Sequence, residues 1–479
     1  MTDQIRRGLD GVLVAESELS RIDGDAGELS YRGYPIEELA AGATFEEVLY
    51  LLWTGSLPTR SELDSFTGEL RSLRSIDMAV VETLERLAQR DEAPIAALRT
   101  GVSMLSAGDT ERGLVPTDSG TIQRTGRRLA AKIPTVLAAY ERLRQGERPV
   151  DPSDELGHAA NFLYMLTGTE PDAVAAETFD TALTLHADHG LNASTFTAIT
   201  VASTHADLYS VVTAGVGALS GPLHGGANQD VMETLLEVDE SGDDPVEWTR
   251  SALDDGRRIP GWGHRVYSVT DPRAAILEDR SEALARSTGE TKWCEYTRAI
   301  EGYLTEEAGL VEKGIAPNVD FYSGTVYYQL GIPVDLYTPI FAMSRVGGWV
   351  AHVDEYLAEF DRCVEDLDMA GVQVFSNVGG RPIDEAYDGL FGRAADADAP
   401  LWLHPQLGTW ADWLSEYMDH RLFGWPFDTT IALSRLVFSG VAVEHPDLDV
   451  IAHHGGAMVP FFGGRVTQFY ETRLEYPDN

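Results

Sequence analysis

Three segments of the chain combine an ionisable side chain with glycine, proline and small residues. They are SGPLHGGAN around His224, IPGWGHRVYSVTDPR around His264 and APNVDFYSG around Asp320. Such loops let the backbone approach a ligand closely and hold polar groups rigidly. Two imidazoles and a carboxylate can perform acid–base chemistry on a carbonyl compound. Taken singly, each histidine could equally have a hydrogen-bonded structural role.

A metal site is the other chemistry that histidine and aspartate could provide. The spacing of His224, His264 and Asp320 matches no local zinc motif, and no HxxxH or HxH pair accompanies them. Acid–base chemistry on a carbonyl compound fits these residues at least as well as metal binding.

Helices are the predicted elements that must carry these loops. Residues 11–33 alternate apolar and polar side chains around an Asp-Gly turn, which predicts a small β-hairpin. Capping boxes that begin at Thr44 and Thr59 predict two helix starts. The stretch 175–219 is rich in small residues, so we expect the closely packed centre of a helical domain there. Further helical patterns occur at 93–110, 124–144, 154–166, 273–287, 291–307, 323–330 and 338–360.

The pattern changes near residues 361–370. Apolar, strand-like runs occur at 371–376, 400–403 and 448–452, and a helical pattern lies between the last two. This β/α alternation predicts a second architecture that follows the helical part.

Composition restricts the partners and the environment. The 479 residues carry a net charge of −41, and only Lys132, Lys292 and Lys313 are lysines. A large acidic excess suits high salt, where counter-ions screen self-repulsion, and it disfavours nucleic acid and anionic membranes as partners. The two cysteines, Cys294 and Cys363, fit a reducing cytoplasm rather than a disulfide scaffold. No apolar run of the length of a signal peptide or a membrane span is present in the sequence.

The three loop segments resemble the active-site segments of citrate synthases. IDGDAGELSYRGYPIEELA and FEEVLYLLWTGSLPT resemble the N-terminal signature of the short bacterial and archaeal members, and HADHGLNAS and MSRVGG also fit. The resemblance covers residues 8–360. It implies a mainly α-helical homodimer, with a large domain at 1–220 plus 331–360 and a small domain at 221–330 that closes over the substrate.

The resemblance also assigns the chemistry. Asp320 corresponds to the base that deprotonates acetyl-CoA, and His224 to the group that hydrogen-bonds the thioester oxygen. His264 corresponds to the residue that polarises the ketone of oxaloacetate. Removal of such a weakly acidic proton needs stabilisation of the developing enolate at the same moment. The citryl thioester is then hydrolysed in the same site, and the resemblance implies that no metal and no redox cofactor is required.

Substrate ligands follow from the same resemblance. Arg273 and Arg345 correspond to bidentate clamps for the oxaloacetate carboxylates, His189 to a further ligand, and Asn192 lies beside it. For the phosphates of CoA, the candidates are Arg257, Arg258, Arg265 and Lys313. Each of these four could instead be a solvated surface charge.

The chain departs from the family after residue 360. Citrate synthases continue with a short tail whose Arg-Pro-Arg type segment supplies an arginine to the partner subunit, whereas this chain continues DRCVEDLDMAGVQVFSN. Losing one charge-assisted contact typically costs about 1.5–3 kcal/mol. We therefore expect weakened oxaloacetate binding.

The segment 361–479 resembles part of an amidohydrolase-type (β/α) barrel, in the branch that contains aromatic-acid decarboxylases. The matching stretches are PLWLHPQ, GWPFDTTIALSRLVFSGV and HPDLDVIAHHGGAMVPFFGGR. In that family, histidines like His404 and His453 end barrel strands and face a metal or the substrate. Three or four strands and two histidines are too few for a barrel or a tight metal site, so we interpret the segment as a non-catalytic fragment.

Three alternatives to citrate synthesis remain open at this point. A 2-methylcitrate synthase, which uses propionyl-CoA, would share every catalytic residue. A metal-dependent hydrolase or decarboxylase could act through the C-terminal segment. A catalytically impaired fusion protein could retain the residues but lack the tail.

Overall fold

The computed structural model describes residues 17–109, 119–204, 206–222, 224–361, 369–378, 381–406 and 420–473. Residues 11–16 of the predicted hairpin and Cys363 lie outside these ranges. The chain divides into two compact units, residues 1–356 and 357–479. The predicted division of the first unit into a large and a small domain stays a prediction. No described helix has the length and apolar composition needed to cross a bilayer.

The first unit is mainly helical and begins with a small antiparallel sheet. Its strands are β1 (Ser20–Asp23), β2 (Glu28–Tyr31) and β3 (Tyr34–Pro35). Its helices are α1 (Ile36–Gly42), α2 (Phe45–Thr54), α3 (Arg60–Ser72), α4 (Met78–Ala88), α5 (Pro94–Leu105), α6 (Ser119–Arg144), α7 (His158–Thr167), α8 (Ala173–His186), α9 (Ala193–Ala202), α10 (Leu208–Leu219), α11 (Ala227–Ser241), α12 (Pro245–Asp254), α13 (Pro272–Thr288), α14 (Lys292–Gly302), α15 (Val319–Gln329) and α16 (Tyr337–Asp361).

The predicted hairpin is confirmed within the described residues. Strands β1 and β2 pair antiparallel, with Ser20 opposite Tyr31 and Asp23 opposite Glu28. The turn closes because the backbone N–H of Gly27 donates to the carbonyl of Asp23 at 2.9 Å. The Asp-Gly signal therefore located both strands and the turn between them.

Both predicted capping boxes are formed. The Thr44 hydroxyl accepts the N–H of Glu47 at 3.3 Å, and the Glu47 carboxylate accepts the N–H of Thr44 at 2.7 Å. The same reciprocal pair joins Thr59 to Glu62 at the start of α3. Each box satisfies two backbone donors that a helix start would otherwise leave unpaired.

Small residues bring the central helices together, as the composition of 175–219 predicts. Gly215 of α10 lies against Trp349 of α16, and a methyl group on Gly215 would be only 3.0 Å from the indole ring. The Trp349 side chain is fully buried. Large side chains at such positions would hold the helices apart, so the glycine permits the close packing.

The second unit contains a short parallel sheet. Its elements are β4 (Val372–Phe375), β5 (Asn377–Val378), β6 (Arg381–Pro382), α17 (Ile383–Ala386), α18 (Asp388–Asp396), β7 (Leu401–His404), α19 (Trp425–Phe438), α20 (Val441–Glu444), β8 (Val450–Ala452) and α21 (Val459–Arg473). Strands β4, β7 and β8 pair in parallel in that order. The predicted β/α alternation is confirmed.

One face of this parallel sheet is covered and the other is open. Leu401 and Leu403 of β7 are buried in a cluster with Phe391 of α18 and Leu436 of α19. The alternate residue Trp402 keeps 47% of its surface exposed. In a complete barrel this second face would be covered by further strands, so the described part of the unit is a fragment of a barrel.

Substitution of Gly348 by alanine tests the packing of α16. A Cβ atom there would lie 2.5 Å from the Asp188 carboxylate and 2.6 Å from the Ala187 carbonyl. Because neither group can move freely, Gly348→Ala should lower the free energy of unfolding by about 1–3 kcal/mol. Gly217→Ala in α10 is the control, since its nearest atom would be Cδ of Arg99 at 3.9 Å. Denaturant unfolding in high salt measures both, and equal stability of Gly348→Ala and the parent would contradict the packing.

Candidate active site

The loops that carry His264 and Asp320 are hydrogen-bonded to each other. The Gly263 N–H donates to the carbonyl of Ala316 at 2.8 Å, and the Asn318 side-chain amide donates to the carbonyl of Gly263 at 2.9 Å. The segment just before His264 and the segment just before Asp320 therefore form one rigid assembly. Glycine and proline permit this close backbone contact, as the sequence pattern predicts.

His264 has a defined tautomer. Its Nδ1 accepts the backbone N–H groups of Val266 at 3.0 Å and Tyr267 at 3.3 Å. A ring nitrogen that accepts two N–H donors carries no proton, so the proton of the neutral ring is on Nε2. Burial, reinforced by the positive charge of Arg273, lowers the pKa of His264. His264 is therefore a neutral imidazole that offers Nε2–H as a donor.

His224 has the opposite tautomer. Its Nε2 lies 3.2 Å from the backbone N–H of Ser194 and 2.8 Å from the Ser194 hydroxyl. A proton on Nε2 would face an N–H group that can only donate, so the ring proton resides on Nδ1. Burial, together with the charge of Arg345, lowers the pKa of His224 to about 4. His224 is therefore neutral at pH 7 and offers Nδ1–H.

Asp320 is the second residue of α15, which follows the capping residue Asn318. Burial raises the pKa of Asp320 to about 6, although the positive charges of Arg273 and Arg345 oppose this effect. Among the residues that the structure describes, no hydrogen-bond donor is placed on its carboxylate. A carboxylate with a pKa near neutrality and a free oxygen is suited to act as a general base.

Arg345 is buried and incompletely paired. Only 1% of its surface is exposed. Its Nε donates to the carbonyl of His186 at 2.8 Å, and its guanidinium lies 4.6 Å from the centre of the Phe341 ring. Its Nη2 is buried and has no partner within the described part of the chain. Because an unpaired buried N–H is costly, this nitrogen indicates an anionic ligand.

Arg273 is held in place by a bidentate ion pair. Its Nε and Nη2 donate to the two carboxylate oxygens of Asp271 at 3.0 Å and 2.7 Å, and both side chains are buried. This pair fixes the guanidinium plane and leaves Nη1 outside the interaction. The predicted second clamp is therefore a preorganised group.

Four of the predicted residues lie around these two guanidinium groups. The charge of Arg345 acts on His224, and the charge of Arg273 acts on His264. Both charges act on His189 and on Asp320. The structure thus brings together His189, His224, His264, Arg273, Asp320 and Arg345.

His189 and Asn192 differ in how far their side-chain atoms are already occupied by hydrogen bonds within the protein. The Nε2 of His189 lies 3.2 Å from the Tyr267 hydroxyl, and its ring centre is 5.4 Å from that of His264. Asn192 caps α9, where its side-chain carbonyl accepts the backbone N–H groups of Ser194 and Thr195. The side-chain carbonyl of Asn192 is therefore occupied, and its contact with a substrate stays a prediction.

The candidate CoA ligands are spread over the surface. Arg257 forms a bidentate ion pair with Glu237 at 2.9 Å and 2.8 Å, which competes with a phosphate contact. The Lys313 ammonium donates to a backbone carbonyl at 3.1 Å and is exposed. Arg258 and Arg265 are exposed, and within the described residues neither forms an ion pair. Of the four candidates, these two have charges that are not already paired within the described residues, and their contact with CoA stays a prediction.

A hydrogen-bonded pair that was not predicted from the sequence holds Asp188, the residue before His189. Asp188 is fully buried, and its carboxylate lies 3.1 Å from Nε2 of His352, which is 164 residues away in the chain. Burial alone would raise the pKa of Asp188, but His352 and Arg345 outweigh it and lower the pKa to about 2. Asp188 lies between two histidines in HADHG, and this pattern could have identified it as a candidate site residue. No sequence pattern identifies its partner on α16, His352.

In the second unit, the two predicted histidines come close together. His404 ends β7 and His453 follows β8, and their ring centres are 4.9 Å apart. The Nδ1 of His404 lies 2.8 Å from the carbonyl of Pro405. Within the described residues, no group of three or more histidine, cysteine, aspartate or glutamate side chains could hold a metal ion.

Comparisons with known proteins agree with both resemblances. The family described as citrate synthase, C-terminal domain, matches residues 8–364, and the amidohydrolase family matches residues 341–473. The citrate synthase of Haloferax volcanii is 58% identical over 74% of this chain and 93% of its own length. The 2-methylcitrate synthase 1 of Corynebacterium glutamicum is more distant, at 39% identity over 74% of this chain and 91% of its own length.

Solved structures show the same fold over the first unit. The citrate synthase of Pyrobaculum aerophilum has a TM-score of 0.68 at 42% identity, covering 73% of this chain and 88% of that chain. A ternary complex of the Thermoplasma acidophilum citrate synthase with carboxymethyl coenzyme A and oxaloacetate has a TM-score of 0.69 at 32% identity, covering 75% and 93%. The resemblance of the sequence motifs is thereby confirmed, and the chain belongs to the citrate synthase family.

Proposed function

We propose that this chain condenses acetyl-CoA with oxaloacetate and hydrolyses the citryl thioester to citrate and CoA, as part of the tricarboxylic acid cycle. One observation carries the proposal: two neutral imidazoles of opposite tautomer accompany a carboxylate of raised pKa. Membership of the citrate synthase family supports the same reaction. No metal or redox cofactor is needed, and acetyl-CoA is a substrate.

Proton removal is assigned to Asp320 and His224. The carboxylate of Asp320 takes a proton from the methyl group of acetyl-CoA, while Nδ1–H of His224 donates to the thioester oxygen. Negative charge develops on that oxygen as the C–H bond breaks, and a positioned donor stabilises it. A pKa of about 6 keeps most of the Asp320 carboxylate ionised at pH 7 without making it a negligible base.

Carbon–carbon bond formation is assigned to His264. Its Nε2–H donates to the ketone oxygen of oxaloacetate, which makes the ketone carbon more electrophilic. The enolate carbon attacks that carbon, and the proton of Nε2 passes to the new alkoxide. A neutral imidazole can make this transfer because the alkoxide and the imidazolate left behind are bases of comparable strength, and the imidazolate then regains a proton from the Asp320 carboxylic acid or from solvent.

The oxaloacetate dianion requires cations in a water-poor cleft. Arg345 offers the unpaired Nη2 and Arg273 offers Nη1, so each can meet one carboxylate. His189, kept neutral by burial, is a further ligand. We propose that the small domain, 221–330, closes over this anion against the large domain and thereby excludes water from the intermediate. Arg258 and Arg265 then meet the phosphates of CoA, with Lys313 and Arg257 as weaker candidates.

The salt conditions, the cellular compartment and the oligomeric state are proposed from the sequence. The acidic excess and the three lysines support a protein that works at high salt, and the cysteine content supports the cytoplasm. The family resemblance supports a homodimer. The second unit acts as a non-catalytic fragment, because two histidines are too few for a tight metal site.

Propionyl-CoA is the competing acyl donor. One methylene group distinguishes the two substrates, and a pocket can discriminate it by only about 1–3 kcal/mol. The higher identity to a citrate synthase, 58% against 39% for a 2-methylcitrate synthase, supports acetyl-CoA. A higher kcat/KM for propionyl-CoA than for acetyl-CoA would identify the chain as a 2-methylcitrate synthase.

Replacement of Asp320 tests the proposed base. Asp320→Asn should lower kcat by about 10²–10⁴-fold because the amide cannot accept the methyl proton. Thiol release from acetyl-CoA and oxaloacetate in multimolar potassium chloride measures the rate. The matched control is Asp243→Asn, at an exposed position, which should retain the parent rate. Undiminished thiol release by Asp320→Asn would refute the assignment, and no release by the parent chain would refute the function.

The pH dependence follows from the same carboxyl group. Its pKa is raised to about 6, and only the ionised form can act as a base. We expect kcat/KM to be about half its maximum at pH 6, to fall about tenfold per pH unit well below pH 6, and to level off towards neutral pH, where the lowered pKa values of His224 and His264 leave both rings neutral. Circular dichroism at each pH excludes unfolding as the cause. A profile that stays level down to pH 4 would contradict the raised pKa.

Restoring a tail tests the expected loss of the partner's arginine. In a chimaera, residues 361–479 are replaced by the C-terminal tail of a citrate synthase that contains the Arg-Pro-Arg type segment. We expect the oxaloacetate KM of the natural chain to exceed that of the chimaera by about 10–150-fold, equivalent to about 1.5–3 kcal/mol. Mutating the first arginine of the added segment to alanine provides the control. Equal KM values for the two chains would show that the tail contributes nothing here.

A further inference from the structure

We propose that the N-terminal hairpin is a positioning element of the active site: its tip holds the loop of His264 and its base holds the loop of His189. The tip is the turn Gly24–Gly27, and the base is the cross-strand pair of Ser20 and Tyr31. The inference rests on the proposed function, because it concerns the geometry of two proposed site residues. None of the hairpin residues is expected to contact a substrate.

The tip contacts the peptide that fixes the tautomer of His264. A methyl group on Gly24 would lie 2.0 Å from the carbonyl oxygen of Val266. That carbonyl belongs to the same peptide plane as the N–H of Tyr267, which donates to Nδ1 of His264. Any shift of the Val266 carbonyl away from the tip therefore moves a donor that orients the imidazole.

Two hydrogen bonds add to this close approach. The N–H of Ser268 donates to the carbonyl of Gly24 at 3.0 Å, and the Ser268 hydroxyl donates to the Asp25 carboxylate at 2.9 Å. Asp25 and Ser268 are both exposed. Exposed hydrogen bonds contribute little to overall stability, so this contact has more effect on the position of the loop than on the folding of the unit.

The base of the hairpin holds the other loop. The Tyr31 hydroxyl donates to the backbone carbonyl of Asp188 at 2.8 Å, and the Ser20 hydroxyl donates to the Asp188 carboxylate. Asp188 directly precedes His189. Since Ser20 and Tyr31 are opposite each other in the β1–β2 register, both strands contact the same residue of this loop.

A single rigid hairpin thus connects two loops that are far apart in sequence. Its span sets the separation of His189 and His264, whose ring centres are 5.4 Å apart. A hydrogen bond between Nε2 of His189 and the Tyr267 hydroxyl, at 3.2 Å, joins the two loops directly. The hairpin also belongs to the predicted large domain, whereas the His264 loop belongs to the predicted small domain.

The glycine at position 24 is explained by space and not by backbone conformation. Its φ lies outside the positive range, whereas the φ of Gly27 in the same turn is +71°. An alanine at position 24 would therefore suffer no backbone strain. Its effect would come from the contact with Val266, which makes Gly24→Ala a specific probe of the tip.

The test compares Gly24→Ala with Gly42→Ala in the full chain at high salt. No atom lies within 4 Å of a Cβ at Gly42, so this control keeps the same chemical change without a contact. We expect Gly24→Ala to lower kcat for citrate formation at least about tenfold, equivalent to one misplaced hydrogen bond of about 1.4 kcal/mol, with an unchanged oxaloacetate KM. Gly42→Ala should match the parent chain in both constants. A raised oxaloacetate KM with an unchanged kcat, or equal kcat values for both variants, would overturn the proposal.

A second measurement keeps the test independent of turnover. Hydrogen–deuterium exchange, followed by mass spectrometry of the peptide around 262–270, should be faster in Gly24→Ala than in Gly42→Ala. Ser268→Ala, which removes only an exposed hydroxyl, should produce a smaller change in the same direction and covers the case in which Gly24→Ala does not fold. Unchanged exchange in both variants would overturn the proposal. A parent chain without activity would refute the proposed function and leave the exchange result to decide on the hairpin.

Discussion

Burial, together with the charge of two guanidinium groups, determines the protonation of the side chains in the site. Arg273 is ion-paired with Asp271, whereas Arg345 keeps an unpaired nitrogen in a position with almost no access to water. Their positive charge, added to burial, keeps the surrounding imidazoles neutral. Without them, burial would raise the pKa of Asp320 further and leave fewer molecules with an ionised base.

The backbone then decides where each neutral imidazole keeps its proton. The amides of Val266 and Tyr267 leave His264 with Nε2–H, and the amide of Ser194 leaves His224 with Nδ1–H. Backbone amides cannot change role with pH, so the two donors are fixed before any ligand arrives. This preorganisation is the main source of electrostatic catalysis in water-excluded sites.

Local signals in the sequence predicted much of this structure. The capping boxes at Thr44 and Thr59 and the β/α alternation of the second unit are short-range patterns, and each was found where the sequence indicated. The loops around His224, His264 and Asp320 were also recognisable, because glycine and proline mark the close backbone approaches that such sites need. Asn192 was a partial exception: an asparagine before a helical run is typical of a helix cap, and the cap occupies its carbonyl.

Contacts between distant segments could not be predicted in the same way. Nothing in the sequence pairs Asp188 with His352, or places Gly24 against the carbonyl of Val266. The ion pair of Arg257 with Glu237 likewise depends on how α11 and the following loop pack. These contacts arise from tertiary packing, which residue type and spacing do not encode, and they include the supports that orient the reacting groups.

Nitrogen-15 NMR of the histidine rings, in protein labelled only at histidine and kept in high salt, tests this account most directly. At pH 7 the account predicts that the rings of His264 and His224 are both neutral, with the proton of His264 on Nε2 and the proton of His224 on Nδ1. The His264→Asn and His224→Asn variants assign the two sets of signals. An imidazolium at either position, or the reverse tautomer in either ring, would contradict it.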